Sequence, residues 1–271
     1  MKALYFDKAL RLCTVAAPKP KPGEALIKVT AVGICNTDLE ILKGYMSFKG
    51  IPGHEFCGIV IKCDDSQLIN KRVVGEINIG CRECSACNMN LTRHCPRRTV
   101  LGIQGKDGAM AQYLTLPVEN LHTVSDNIED SDAVFVEPLA AACEILEQIH
   151  LSPSHNIMVV GDGKLAALIA QILHVINPNV FVKGLQPEKI QLLKNLGLHA
   201  DTKPFGHRTW DVIIEATGNP EGISLALEYI KPRGTIILKS TYNQKIAIDQ
   251  NAIVINEINI LGSRCGNFEL A

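Results

Sequence analysis

No apolar run in the 271 residues reaches membrane-spanning length. The first ten residues carry charges at Lys2, Asp7 and Lys8, without the apolar stretch and small-residue cleavage site of a secretory leader. Net charge is just as scarce. Lys and Arg total 27 against 28 Asp and Glu, a formal net charge of -1, and no basic segment is interleaved with aromatics. Phosphate backbones and anionic lipid are therefore not attracted to the chain as a whole, which argues against nucleic acid and membrane as partners. Internal repeats and low-complexity segments are absent too, so a solenoid is excluded.

What is present is the balance of a globular protein, 46% hydrophobic and 20% charged residues. The length suits two domains, each able to bury its own core. Cysteine is plentiful, ten in all. Four of these crowd together at short spacings in a chain that does not read as secreted. That pattern favours metal over disulfides and places the protein in the cytoplasm.

The first half reads as strands and turns. Ile27, Val29 and Ala31 alternate with Lys28 and Thr30, which predicts a strand over 25–32, and 56–63 and 71–79 read alike. Lys19-Pro20, Pro22-Gly23 and Pro52-Gly53 mark turns. Beyond about residue 137 helices and strands alternate: helix 140–149, strand 155–160, then a helix whose Leu165, Leu168, Ile169, Ile172 and Leu173 recur at helical spacing. Strand 180–182, helix 187–196, strand 211–215, helix 223–230 and strands 235–238 and 258–261 follow. Such βαβ alternation calls for a parallel sheet covered on both faces. The expected organisation is α/β: a mainly-β domain over 1–139 containing a lobe at 81–95, and a doubly wound domain over 140–271.

Cys81, Cys84, Cys87 and Cys95 form C-x2-C-x2-C-x7-C, a spacing that wraps four thiolates around one tetrahedral ion. A closed thiolate shell holds a fold together but leaves no open position for chemistry. Cys95-Pro96 brings the run near the ferredoxin pattern, but its last gap is too long and no second cluster motif accompanies it. Unliganded core thiols fit poorly among Arg82, Glu83, Asn88, Asn90, Arg93 and His94. A zinc-finger role on nucleic acid would need a basic surface that the sequence does not supply.

Val159-Val160-Gly161-Asp162-Gly163-Lys164-Leu165-Ala166 is a G-x-G-x-x-A fingerprint between a strand and an amphipathic helix. Gly161 permits the tight turn, Gly163 lets a pyrophosphate approach the backbone at the helix N-terminus, and Ala166 keeps helix and strand close. The end of the next strand, Val182-Lys183-Gly184-Leu185-Gln186, lacks the acid that usually bonds the ribose of NAD. Lys183 could instead attract a 2′-phosphate, which favours NADP.

Further chemistry-bearing words are scattered: Gly33-Ile34-Cys35-Asn36-Thr37-Asp38, Gly53-His54-Glu55 and Glu137-Pro138-Leu139-Ala140. In this order, with the four-cysteine lobe and the glycine fingerprint, the sequence resembles the zinc-containing medium-chain alcohol dehydrogenases over nearly its whole length. It looks most like their sorbitol, threonine and glucose dehydrogenase branch. The resemblance implies a GroES-like catalytic domain joined to a Rossmann domain. It also implies two zincs, one structural in the lobe and one catalytic, and hydride transfer between a small alcohol or polyol and NAD or NADP. It makes Cys35 and His54 ligands of the catalytic ion, with Glu55 or Glu137 as the third.

Charge favours one glutamate at a time. A divalent ion with one thiolate, one carboxylate and a neutral imidazole is a neutral core, which a second carboxylate would make anionic. By the same resemblance, Asp38 orients His54, Thr37 takes the substrate proton, and Thr217 in Glu215-Ala216-Thr217-Gly218 lies along the nicotinamide half of the cofactor. Glu40 or a neighbour stands where some members carry a relay histidine. Tyr45, Phe48 and Ile103 are candidate pocket residues, and the strand over 258–263 is a candidate contact in a homodimer or homotetramer. Family members continue for some tens of residues beyond the last sheet strand. The resemblance therefore implies a fragment or a short member, with a non-enzymatic zinc- and nucleotide-binding homologue as the alternative function.

Overall fold

The computed structural model describes residues 1–242 and 245–271. Its chain divides into two compact units, Met1–Glu137 with Phe268–Ala271, and Pro138–Asn267.

In the first unit β1 (Lys2–Asp7) and β2 (Ala9–Thr14) form a hairpin, and β3 (Glu24–Val32) enters a larger antiparallel sheet. The predicted alternation in β3 holds: Ile27 is fully buried while Lys28 and Thr30 face solvent. The helix α1 (Asn36–Leu42) follows at once, and β4 (Phe56–Lys62) returns antiparallel to β3. The strand expected over 71–79 is broken into β5 (Arg72–Gly75) and β6 (Asn78–Ile79), which belong to different sheets. Asn120 explains the break. Its side-chain amide donates to the carbonyls of Glu76 and Asn78 at 2.9 and 3.0 Å, satisfying groups that a continuous ladder would have used.

The lobe follows with α2 (Ser85–Asn88), then β7 (Thr99–Leu101), β8 (Gly105–Lys106), β9 (Tyr113–Pro117) and β10 (Leu121–Thr123). The main sheet has the order β10-β5-β4-β3-β9, and β6-β7-β8 form a small second one. A short helix, α3 (Asp130–Ala133), precedes α4 (Val136–Gln148). Thus α4 starts four residues before the expected helix. Pro138 sits in its first turn, where a missing N–H costs nothing.

The second unit is a parallel sheet. Its strands are β11 (Ile157–Val160), β12 (Val180–Lys183), β13 (His199–Asp201), β14 (Trp210–Glu215), β15 (Ile230–Leu238) and β16 (Asn259–Gly262). They lie in the order β13-β12-β11-β14-β15-β16. Between them run α5 (Lys164–Ile176), α6 (Pro187–Asn195), α7 (Glu221–Tyr229) and α8 (Gln250–Ile255).

Ile157 and Val159 of β11 pack with α5, whereas Met158 and Val160 pack with α7, so the run Ile-Met-Val-Val is buried on both faces. The buried stripe of α5 is Ala166, Ile169, Ala170 and Leu173, with Leu165, Leu168 and Ile172 only partly covered. That stripe is rotated from the expected one. In a helix apolar almost all round, the small alanines take the face nearest the sheet. The order doubles back between β11 and β14, the switch point at whose strand ends open α/β sheets bind ligands.

Candidate metal centres and nucleotide cradle

The lobe brings its four cysteines together. Cys84 Sγ lies 3.6 Å from Cys87 Sγ and 3.7 Å from Cys95 Sγ, and Cys81 Sγ lies 4.0 Å from Cys87 Sγ. A tetrahedral ion with metal–sulfur bonds of about 2.3 Å requires thiolate separations of about 3.8 Å. The set therefore fits a single ion and is too tight for a multi-iron cluster. Gly80 leaves the room for it, since a Cβ there would stand 2.9 Å from Cys87 Sγ.

Backbone N–H groups already point at the sulfurs, Cys81 to Cys95 at 3.4 Å and Arg82 to Cys87 at 3.3 Å. The thiols share charge unevenly. Backbone N–H groups from Glu83 and Cys84 help draw Cys81 down to about 6, while burial pushes Cys87 up to about 11. A divalent cation is what would let all four ionise together.

The second centre is built from the end of β3 and the segment before β4. Asp38 closes a capping box at the start of α1: its Oδ2 accepts the Cys35 N–H at 2.8 Å. Its Oδ1 accepts the N–H of Gly53 at 3.2 Å and stands 3.4 Å from Nδ1 of His54. One buried carboxylate thus ties both ligand-bearing segments together. Gly53 takes φ +99°, and a Cβ there would come within 2.9 Å of the Met110 backbone nitrogen. Glycine is required by both conformation and space.

Ligand atoms of Cys35, His54 and Glu55 lie within 4.8 Å of one another. Glu137 is not in that mutual set, although its charge acts on His54. Burial opposes a charge on His54, yet Asp38, Cys35 and Glu137 hold its pKa well above the usual range. The surroundings that would protonate this imidazole are those that would receive a cation. His54 Nδ1 is buried without a well-aligned hydrogen bond, because 3.4 Å to Asp38 is an ion-pair separation. With Nδ1 turned to Asp38, Nε2 is the atom left for an ion. A thiol, an imidazole and a carboxylate are a donor set suited to zinc. The hydroxyl of Thr37 stands beside them, 3.6 Å from Cys35 Sγ.

Tyr45, Phe48 and Ile103, the candidate pocket residues, lie in a packed cluster with Phe6 and Ile41. Phe48 is buried in that cluster, so it packs more than it lines open space.

In the second unit Gly161 has φ +130°, and a Cβ there would lie 2.5 Å from the Ala216 carbonyl oxygen. Gly163 caps α5 with nothing within 4 Å of its Cβ position and brings no capping side chain of its own. A helix N-terminus with open space at its cap forms a cradle that a pyrophosphate fits. Ala166 is fully buried. Thr217 is committed to the buried carboxylate of Glu215: its Oγ1 is 2.5 Å and its N–H 2.9 Å from Oε1, and Ser240 Oγ donates to the same oxygen at 2.9 Å. Thr217 therefore shapes the turn after β14 with its side chain already bonded.

Sequence reasoning gave Asp162 no role. Its Oδ2 accepts the N–H groups of Leu185 and Gln186 at 2.7 and 2.8 Å, just past the end of β12. The available signal was the pairing of an acid inside the glycine turn with a glycine at the position where the strand-end acid is usual.

Two family models match the chain, one for the alcohol dehydrogenase GroES-like domain over residues 21–126 and one for the zinc-binding dehydrogenase over residues 163–270. Among curated proteins, erythritol/L-threitol dehydrogenase of Mycolicibacterium smegmatis is 30% identical, over 95% of this chain and 81% of that protein. Among solved structures, RspB of Escherichia coli complexed with NADH superposes with a TM-score of 0.91 at 24% identity, covering 100% of this chain and 86% of that one. A Sinorhizobium meliloti protein bound to NADP gives a TM-score of 0.86 at 25% identity, covering 98% and 84%.

Proposed function

Because the chain belongs to the zinc-type medium-chain alcohol dehydrogenase family, an oxidoreductase class, we propose that it dehydrogenates a small polyol with a nicotinamide cofactor. The observation that carries this reading is the convergence of Cys35, His54 and Glu55, braced by Asp38, with the Thr37 hydroxyl beside them. Zinc held there supplies a Lewis acid for the alcohol oxygen, and the nicotinamide supplies the hydride acceptor.

The chain's own residues do the rest. Cys35, His54 and Glu55 would hold the ion, and their mutual proximity favours Glu55 over Glu137 as the third ligand. Glu137 stays near enough to add negative charge behind His54. Thr37 Oγ1 would take the proton from the substrate hydroxyl, because it is a neutral hydroxyl beside the ligand set and can both accept and donate. Cys81, Cys84, Cys87 and Cys95 would hold the structural zinc. Gly161, Gly163 and Ala166 would seat the pyrophosphate of NAD or NADP, with Lys183 and Thr217 flanking the cradle.

The polyol class is supported by the similarity to the erythritol/L-threitol enzyme. The outer edge of β16, which pairs only with β15 among the described residues, offers main-chain groups to a second copy in a homodimer or homotetramer. The domain division proposed is a catalytic domain over 1–139 and a nucleotide domain over 140–271. The non-catalytic alternative gains nothing from the site, in which Cys35, His54 and Glu55 come together with the Thr37 hydroxyl beside Cys35.

The test is a screen of the zinc-loaded protein for NAD and NADP reduction over four-, five- and six-carbon polyols and simple monohydric alcohols. Turnover confined to polyols is expected. Zinc retention without turnover on any alcohol would overturn the reading.

A further inference from the structure

Dinucleotide-binding sheets of this type usually present an acid from the end of their second strand to the adenine-side ribose, about twenty residues after the glycine turn. Here that strand is β12, and the residue after its last member is Gly184. Gly184 is buried, and a Cβ built on it would lie 2.9 Å from Asp162 Cβ and 3.0 Å from Asp162 Oδ2. The space a strand-end side chain would use is already filled by Ile190, whose Cδ1 would lie 2.6 Å from that Cβ, and by the side chain of Asp162, which comes across from the turn between Gly161 and Gly163. Acid and glycine have changed places.

Resting on the reading of this turn as a nicotinamide dinucleotide site, we propose that Asp162 is the carboxylate that receives the adenine-side ribose hydroxyls. It selects NAD(H) over NADP(H).

Three observations support the assignment. The carboxylate is fixed, since Oδ2 accepts two backbone N–H groups, from Leu185 at 2.7 Å and Gln186 at 2.8 Å. Fixing one oxygen leaves Oδ1 to accept from a ligand hydroxyl. The group is also ionised: burial opposes its charge, but those N–H groups and Lys189 outweigh it and hold the carboxyl below its usual range. Finally, the nearby cation supports the charge without occupying its open oxygen. Lys189 Nζ lies 3.7 Å from Asp162 Oδ1, near enough to favour the carboxylate but beyond hydrogen-bond distance, so Oδ1 stays available to a ligand hydroxyl.

Lys183 ends β12 in register between Val160 and Asp201, and its carbonyl accepts the N–H of Gly161, the residue before Asp162. A 2′-phosphate brought there would meet a carboxylate with no freedom to move away. The missing strand-end acid, which from sequence favours NADP, is thus replaced from another part of the chain.

A purely structural role is the competing explanation, because Asp162 also caps the start of α6. The two are separated by direct titration of the full chain with NADH and with NADPH, followed by nicotinamide fluorescence, which needs no substrate and no turnover. The wild-type chain is expected to bind NADH at least about tenfold more tightly than NADPH, the scale of a hydrogen bond to a charged group. Asp162→Asn should shrink that ratio by about tenfold. The double variant Asp162→Ala with Gly184→Asp, which returns the acid to the strand end, should restore it.

NADPH binding as tight as NADH in the wild type overturns the inference while leaving the nucleotide site intact. So does a ratio unmoved in Asp162→Asn with only a lowered melting temperature, which would make Asp162 a helix cap alone. Binding of neither dinucleotide overturns the nucleotide reading itself, and the inference with it.

Discussion

Asp38 and His54 stand 3.4 Å apart, Oδ1 to Nδ1, both buried, and the same aspartate holds the backbone of Cys35 and of Gly53. The carboxylate fixes the distance between two segments that are separated in sequence and orients the imidazole between them. Asp38→Asn should keep the N–H acceptor on one oxygen but lose the charge facing His54. A loss of about 10- to 100-fold in metal affinity at this centre is expected, read by titration with a competing chelator. Unchanged affinity would show that His54 needs no such partner.

Thr37 supplies a separate prediction. Thr37→Val removes the hydroxyl at nearly constant volume, so the fold and the metal content should survive. Turnover should fall by about 100-fold or more, the range of general acid–base catalysis, and Thr37→Ser should recover most of it. A Val variant with full kcat would move the proton relay elsewhere.

The lobe should behave as a staple and not as a reaction centre. Cys87→Ser breaks a four-sulfur set whose neighbours lie 3.6 and 4.0 Å away, so the variant is expected to lose the lobe's ion while keeping the one at Cys35. Its melting temperature should drop, because metal binding energy in such loops is folding energy. Metal analysis and thermal denaturation on one sample check both outcomes. Loss of both ions would indicate that the two centres are not independent.

Acid stability has an identifiable contributor at Asp130. Thr30, Cys57 and Arg72 surround its carboxyl and hold it below its ordinary range, Arg72 Nη1 at 2.8 Å, and Arg72 also bonds the carbonyls of Ser125 and Ile128. A carboxyl lowered in the folded state contributes stability that is complete above its unfolded value and is lost as pH falls through the folded one. Asp130→Asn should therefore cost about 1 kcal/mol at neutral pH, with the difference from wild type vanishing below the carboxylate range. Urea denaturation at neutral and acid pH measures it. A pH-independent cost would point to packing instead.

Much of this was legible in sequence because it is local. The four cysteines of the lobe span fifteen residues, so spacing alone fixes their convergence. Gly161, Gly163 and Ala166 form a local word whose spacing shows in sequence, although the close approach that requires Gly161 is to the distant Ala216 carbonyl. What was hidden depends on contacts distant in sequence. The exchange of Asp162 and Gly184 bridges 22 positions and becomes visible only when β11 and β12 lie side by side. The break after Gly75 depends on Asn120, far along the chain. The choice between Glu55 and Glu137 was equally closed to sequence, since it turns on which side chain shares a 4.8 Å set with Cys35 and His54. Short elements such as β13 and α8 carry too few residues for periodicity to show, although Asp249 caps α8 through the Ala252 N–H.

Cys35, His54 and Glu55 are proposed as the working centre of a polyol dehydrogenase. Its most direct test is nicotinamide reduction with a polyol substrate by the wild type and by Cys35→Ser, each shown by circular dichroism to be folded. Reduction by the wild type and none by the variant is expected, at equal dinucleotide binding. Equal rates from both proteins would contradict it.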